Sequence, residues 1–154
     1  MTKLPEEFQI LITEGPRKLT FYTRPMPEIG ENDVLIRTKF SGVSHGTEMN
    51  VYRGLAPHFR SYFDRGERLF IPRDLEEKSP IPERGYFISA DLKWQYPFAY
   101  GYANVGEVIH VGKLVTHVVP GDLVFTYRQH ATYSVQPAER VYKLPQLTSP
   151  ETGI

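Results

Sequence analysis

The sequence predicts a mainly β domain: a partly open barrel with few short helices and one long irregular insertion. Three observations carry this expectation. Short β-prone runs recur between turn signals from Phe8 to Leu144. The segment Tyr100–Gly112, YGYANVGEVIHVG, reads as one strand punctuated by Gly101, Gly106 and Gly112, where backbone must turn or approach something closely. No strand leads into a G-x-G-x-x-G run and none alternates with a long helix, so a Rossmann unit is not expected in these 154 residues.

Taken in order, Phe8–Thr13 and Leu19–Thr23 are short β-prone runs parted by the turn signal Glu14-Gly15-Pro16. Gly30–Asp33 is a second turn. Val34, Ile36, Thr38 and Phe40 then alternate with Leu35, Arg37, Lys39 and Ser41, the pattern of a half-buried strand. Thr47–Tyr52 fits a short helix with Gly54 placed to stop it. Arg53–Tyr96 breaks the rhythm with Pro57, Pro72, Pro80 and Pro82, and is expected to be mostly irregular, with a helical turn near Ser61–Arg65. The β pattern returns from Asn104, with Val105, Ile109 and Val111 on one face and Val108 and His110 on the other. Pro120-Gly121-Asp122 suits a type II turn. Leu123–Tyr127, Thr132–Val135 and Arg140–Leu144 complete the strands, and Gln146–Ile154 is turn-like.

Composition excludes several classes. Lys plus Arg and Asp plus Glu number 18 each, so no charge footprint marks a nucleic acid or an anionic membrane as partner. No apolar run reaches bilayer length, and the opening MTKLPEEFQI lacks a signal-peptide core, which suits a cytoplasmic protein. With no cysteine, the chain has neither disulfide nor thiolate metal ligand. Twelve of its 20 aromatic residues fall between Tyr52 and Tyr102, which implies an aromatic core or an aromatic-walled surface.

Three stretches carry a resemblance: Asp33–Glu48 (DVLIRTKFSGVSHGTE), Gly101–Gly112, and Pro120–Pro145 (PGDLVFTYRQHATYSVQPAERVYKLP). In order and spacing they resemble the GroES-like N-terminal domain of the medium-chain dehydrogenase/reductase family, with a longer connection between the first two. The resemblance implies a GroES-like domain over 1–145 with its insertion at about 53–96. It also implies that 146–154, ending SPETGI, begins the connection to a Rossmann cofactor domain supplied by further chain or by a second chain. The complete protein would then be an alcohol dehydrogenase-like oxidoreductase. It would use NAD(P), bound mainly by that other domain, and pass a hydride to or from a carbonyl or activated double bond of a small substrate. The 154 residues alone would be inactive, and a homo-oligomer is compatible with them.

Zinc-dependent members place His and Glu after the first glycine of the central motif, where this sequence has Tyr102 and Ala103, and Cys where it has Ser44. The resemblance therefore implies a zinc-independent enzyme. Ser44, His45, Thr47 and Tyr102 stand near those positions as hydrogen-bond donors able to polarise a substrate. Each has a plainer alternative. Ser44 or Thr47 can cap the following helix, Glu48 can complement its dipole, His45 can be solvated, and Tyr102 can be a packed aromatic. His110 and His130 are read as structural. Tyr52, Trp94 and Tyr96, with Phe59, Tyr62 and Phe63, are expected either to wall a substrate pocket, or to pack the insertion onto the barrel or form an oligomer contact. Arg60, Arg65, Arg68 and Arg73 could meet an anionic substrate, but Asp64, Glu67 and Asp74 stand among them, which favours a mixed solvated surface. Because the same barrel also occurs in ring-forming co-chaperonins, a non-catalytic scaffold or partner-binding module is the second reading.

Overall fold

A computed structural model of the chain describes residues 4–64, 66–72, 96–145 and 150–153. It is mainly β. In chain order its elements are β1 (Glu7–Gly15), β2 (Lys18–Pro25), β3 (Asp33–Ser41), α1 (Thr47–Arg53), β4 (Ser61–Asp64), β5 (Leu69–Pro72), β6 (Phe98–Ala99), β7 (Asn104–Val111), β8 (Leu123–Thr126), β9 (Tyr133–Pro137) and β10 (Tyr142–Lys143). Single 3-10 turns cover Pro57–Phe59, Ala138–Arg140 and Pro150–Gly153. The chain divides into two compact units. One holds Met1–Leu11, Phe21–Val43 and Tyr100–Ile154, the other Ile12–Thr20 and Ser44–Ala99.

The first unit is built on a five-stranded antiparallel sheet ordered β10-β8-β7-β3-β9. Val34, Ile36, Val108, Val118, Val124 and Val141 interlock as its core, none more than 3% exposed. Burying each of these side chains is worth roughly 1.5–3 kcal/mol. Gly106 is required where β7 crosses β3, because a Cβ there would stand 2.6 Å from the Arg37 carbonyl oxygen. Leu35 and Val105 are also fully buried. The turn Pro150–Gly153 packs on β3 and β7, with the Gly153 backbone close to Val105 and Leu144. β3 therefore begins buried on both faces rather than on one.

The simple alternation expected of β3 and β7 fails at two irregularities of their pairing. Ile36 lies opposite Val108 and Leu35 opposite His110, so Ile109 has no partner of its own. That bulge brings Val108 and Val111 onto the same core while His110 is exposed, so the expected pairing of Val111 with Val105 and of Val108 with His110 is wrong. A second shift between Thr38 and Phe40 turns Phe40 outward, leaving it 36% exposed.

In the second unit, β6 pairs antiparallel with the end of β1, Ile12 opposite Ala99 and Thr13 opposite Phe98. The helical turn expected near Ser61–Arg65 is absent. Ser61–Asp64 is instead a strand, paired with β5 as a hairpin. Alternating β-prone residues on both arms favour it, and Asp64 Oδ1 accepts the N–H groups of Gly66 (2.8 Å) and Glu67 (2.9 Å) to close the turn. The rest of the insertion, with Trp94, lies outside the described residues. Among the described residues no helix is long and apolar enough to cross a membrane.

Candidate functional site

In the second unit, Ser44, His45 and Thr47 come together at the start of α1. The Ser44 carbonyl accepts the Glu48 N–H at 3.2 Å, so the helical hydrogen bonding begins there, ahead of the first residue with full helical form. Ser44 Oγ accepts the Thr47 N–H at 3.2 Å, and the Ser44 N–H donates to Glu48 Oε2 at 2.5 Å. This is a capping box with its acid one residue later than usual. Glu48 is buried and bound to the helix start. Capping takes a lone pair of Ser44 and leaves its hydroxyl proton for another acceptor. His45 and Thr47 are exposed beside it.

The other end of α1 is fastened by aromatics. The Tyr96 hydroxyl donates to the Val51 carbonyl at 2.5 Å, and burial pushes the Tyr96 phenol up from its ordinary range. Its ring stacks on Phe59, with centroids 4.7 Å apart, and on Phe98 at 5.4 Å. Tyr52 is half-buried, its carbonyl accepting the Arg17 N–H. Tyr96 thus offers a ring face or edge rather than a hydroxyl to any neighbour.

Tyr102 belongs to the first unit, half-buried, its ring edge-on to Tyr100 at 6.4 Å. Around it is a polar centre that sequence reading passed over. Asn104, 3% exposed at the head of β7, donates from Nδ2 to the carbonyls of Arg128 (2.6 Å) and Gln129 (3.1 Å). Its Oδ1 is buried without a partner among the described residues. The loop that Asn104 holds carries His130. The His130 N–H donates to Tyr100 O, its carbonyl accepts the Leu11 N–H, and its Nδ1 is hydrogen-bonded to Ser41 Oγ. Gly101 has φ +122°, and a Cβ there would stand 2.7 Å from the His130 nitrogen, so only glycine fits. The one signal available in sequence was Asn104, a polar residue heading an otherwise apolar strand.

Among the described residues no group of three or more His, Asp or Glu side chains is placed to hold a metal ion. In the second unit the Ser44 hydroxyl is engaged as a cap, and in the first Tyr102 offers a phenol and Ala103 no donor atom. None of the three is the thiolate, imidazole or carboxylate that zinc favours.

No protein-family model matches the sequence. Curated relatives do match. D-guloside 3-dehydrogenase of Escherichia coli K12 is 28% identical over 137 residues, covering 89% of this chain and 36% of the relative, and that of Shigella flexneri matches equally. Among solved structures, the human synaptic vesicle membrane protein VAT-1 homolog-like protein superposes with a TM-score of 0.61 at 21% identity, over 96% of this chain and 38% of that one. A quinone oxidoreductase of Pseudomonas syringae gives 0.57 at 18% identity, over 95% and 36%. An alcohol dehydrogenase of Escherichia coli CFT073, complexed with NADH, gives 0.59 at 15% identity, over 97% and 42%. The fold is the GroES-like one found in such dehydrogenases. The chain spans little more than a third of the length of the curated relatives it matches, 36%.

Proposed function

We propose that this chain forms the substrate-side domain of an NAD(P)-dependent oxidoreductase that moves a hydride to or from its substrate without a catalytic zinc. The likeness to D-guloside 3-dehydrogenase over 89% of the chain carries the reading, together with a fold common to dehydrogenases. The name of that relative makes a glycoside hydroxyl, oxidised to a ketone, the first substrate to test.

The nicotinamide ring accepts or donates the hydride. The sequence contains no G-x-G-x-x-G run. Among the described residues the short helix α1 already holds the Glu48 carboxylate at its start, where a second anion would be repelled. On this reading a Rossmann domain supplies the main cofactor site, and these 154 residues by themselves do not turn over. What it contributes is polarisation and positioning. In the second unit the Ser44 and Thr47 hydroxyls are the hydrogen-bond donors for a substrate oxygen, with the exposed His45 imidazole to exchange the proton that accompanies the hydride; in the first unit the Tyr102 phenol is a further candidate donor. Tyr52 and Tyr96 supply apolar walls.

The test joins this chain to its nicotinamide-binding half and follows reduced-nicotinamide absorbance with glycosides. Turnover should persist after exhaustive chelation and fall at least tenfold in Tyr102→Phe. Activity that disappears with chelator and returns with zinc would overturn the metal-free reading. Turnover by the 154-residue chain with added cofactor would overturn the division of labour.

A further inference from the structure

We propose that Ser41 and His130 are positioning residues for the Tyr102 hydroxyl, acting through the backbone on either side of it; a chemical use for that hydroxyl rests on the function proposed above. Tyr102 lies between two pinned neighbours. Ahead of it, Gly101 sits against His130, leaving 2.7 Å between an added Cβ and the His130 nitrogen and 2.9 Å to the ring Cδ2. After it, the Ala103 carbonyl accepts the Gly42 N–H at 3.0 Å and lies 3.4 Å from Ser41 Oγ. Ser41 Oγ in turn contacts His130 Nδ1. One side-chain pair thus touches both flanks of Tyr102.

Ser41 has a single hydroxyl proton and two acceptors for it, Ala103 O and His130 Nδ1. When Nδ1 carries a proton, the imidazole donates to Ser41 Oγ, and the Ser41 proton turns to Ala103 O. When Nδ1 is bare, Ser41 donates to the ring, and Ala103 O keeps its bond from Gly42 alone. With the neutral ring in its Nε2–H form, protonation of His130 therefore selects how firmly the Ala103 carbonyl is held, one residue from the Tyr102 side chain. His130 is well suited to this because it is anchored at every backbone group. Its N–H is on Tyr100 O, its carbonyl on the Leu11 N–H, and the two preceding carbonyls are on Asn104. The titratable or charged side chains on the segments packed around the ring are Tyr100 and Tyr102 ahead of β7 and Arg128 on its own loop. Gln9–Leu11 of β1 and Phe40–Gly42 at the end of β3 bring none.

An NMR titration of the 154-residue chain tests the pair. In the wild type, the Ala103 carbonyl carbon and the Tyr102 ring should shift with the same midpoint as the His130 ring. Ser41→Thr, which keeps a hydroxyl, should preserve that coupling. Ser41→Ala should abolish it at Ala103 while His130 still titrates, and His130→Gln should remove it altogether. An Ala103 response unchanged in Ser41→Ala, or no Ala103 response in the wild type as His130 titrates, would overturn the proposal. Were Ser41→Ala to unfold, the wild-type and Ser41→Thr titrations decide it, since loss of coupling in either counts against the pair. Intact coupling combined with full hydride transfer by Tyr102→Phe in the joined enzyme would leave the positioning standing and remove the chemical role of Tyr102.

Discussion

The five-stranded sheet and the unit carrying α1 reach order by different routes. In the sheet, six interlocking apolar side chains, each at most 3% exposed, exclude water from the strands that frame Tyr102 and His130. In the α1 unit the described buried positions are Thr13, Glu48, Val51 and Ala56, half of them polar. Its order comes from point fastenings: Arg17 N–H to Tyr52 O, Tyr96 hydroxyl to Val51 O, Glu48 carboxylate to Ser44 N–H. Hydrophobic burial is cooperative and hard to open locally, whereas single hydrogen bonds near the surface open at lower cost. The candidate donors are accordingly divided. Tyr102 adjoins the packed sheet, while Ser44, His45 and Thr47 are on a helix start held by single hydrogen bonds.

Core truncation should break the comparison most visibly. Ile36→Ala is expected to destabilise the chain by about 2–5 kcal/mol, because the tightly packed sheet cannot collapse onto the void. Val51→Ala, the one aliphatic of α1 buried as deeply, should cost about 1.5 kcal/mol from the lost methyls. Urea midpoints measure both. Equal losses would mean the two units are packed alike.

Next in size is Asn104→Leu. It strands the carbonyls of Arg128 and Gln129, and the expected cost is about 1–3 kcal/mol. Amide exchange should rise at His130 and its neighbours well before it rises in β3. Exchange that rises evenly through the sheet would show that Asn104 supports the core and not the loop.

How much of this could be read in advance divides along the same line. The strands of the sheet, its turns and the helix ending at Gly54 follow from local pattern, since alternation and glycine punctuation are written residue by residue, whereas the GroES-like fold followed from the resemblance of three ordered motifs. What pattern could not supply was register. The bulge that leaves Ile109 without a partner, and the one that turns Phe40 outward, depend on which residue of the neighbouring strand is opposite, a fact no single segment encodes. The polar centre was illegible for the same reason. Ser41, Asn104 and His130 are spread over 90 positions and meet only because β3, β7 and the loop before β9 are adjacent in space. The β4–β5 hairpin was missed because its prolines and charges masked two short β-prone arms.

Ser44 can be made to discriminate between its two roles. Ser44→Ala should cost about 1 kcal/mol by leaving the Thr47 N–H without its cap, whereas Ser44→Gly should cost only a few tenths. Neither variant can donate to a substrate. If hydride transfer in the joined enzyme tracks stability, Gly will be nearly as active as wild type and Ser44 is a cap alone. If both variants lose turnover, its hydroxyl proton is used.

The smallest effect lies on the outside of the sheet. Glu107 accepts Lys39 at 2.8 Å and Arg37 at 2.9 Å, and these contacts, Lys39 first, hold its carboxyl below the usual range. Asp122 is likewise lowered by Lys143 and by the Val119 N–H. A carboxyl depressed in the folded state stabilises fully above its unfolded range, and that stability fades as pH falls through the folded value. Acid should therefore weaken the wild type by more than it weakens Glu107→Gln. The difference should stay under about 1 kcal/mol because the pair is partly solvated, and it should shrink further in high salt. Urea midpoints taken across the acid range, with and without salt, measure it. A larger, salt-insensitive difference would mean that surface charge rivals the valine core in holding the sheet, and the contrast between the two units would have to be redrawn on electrostatic grounds.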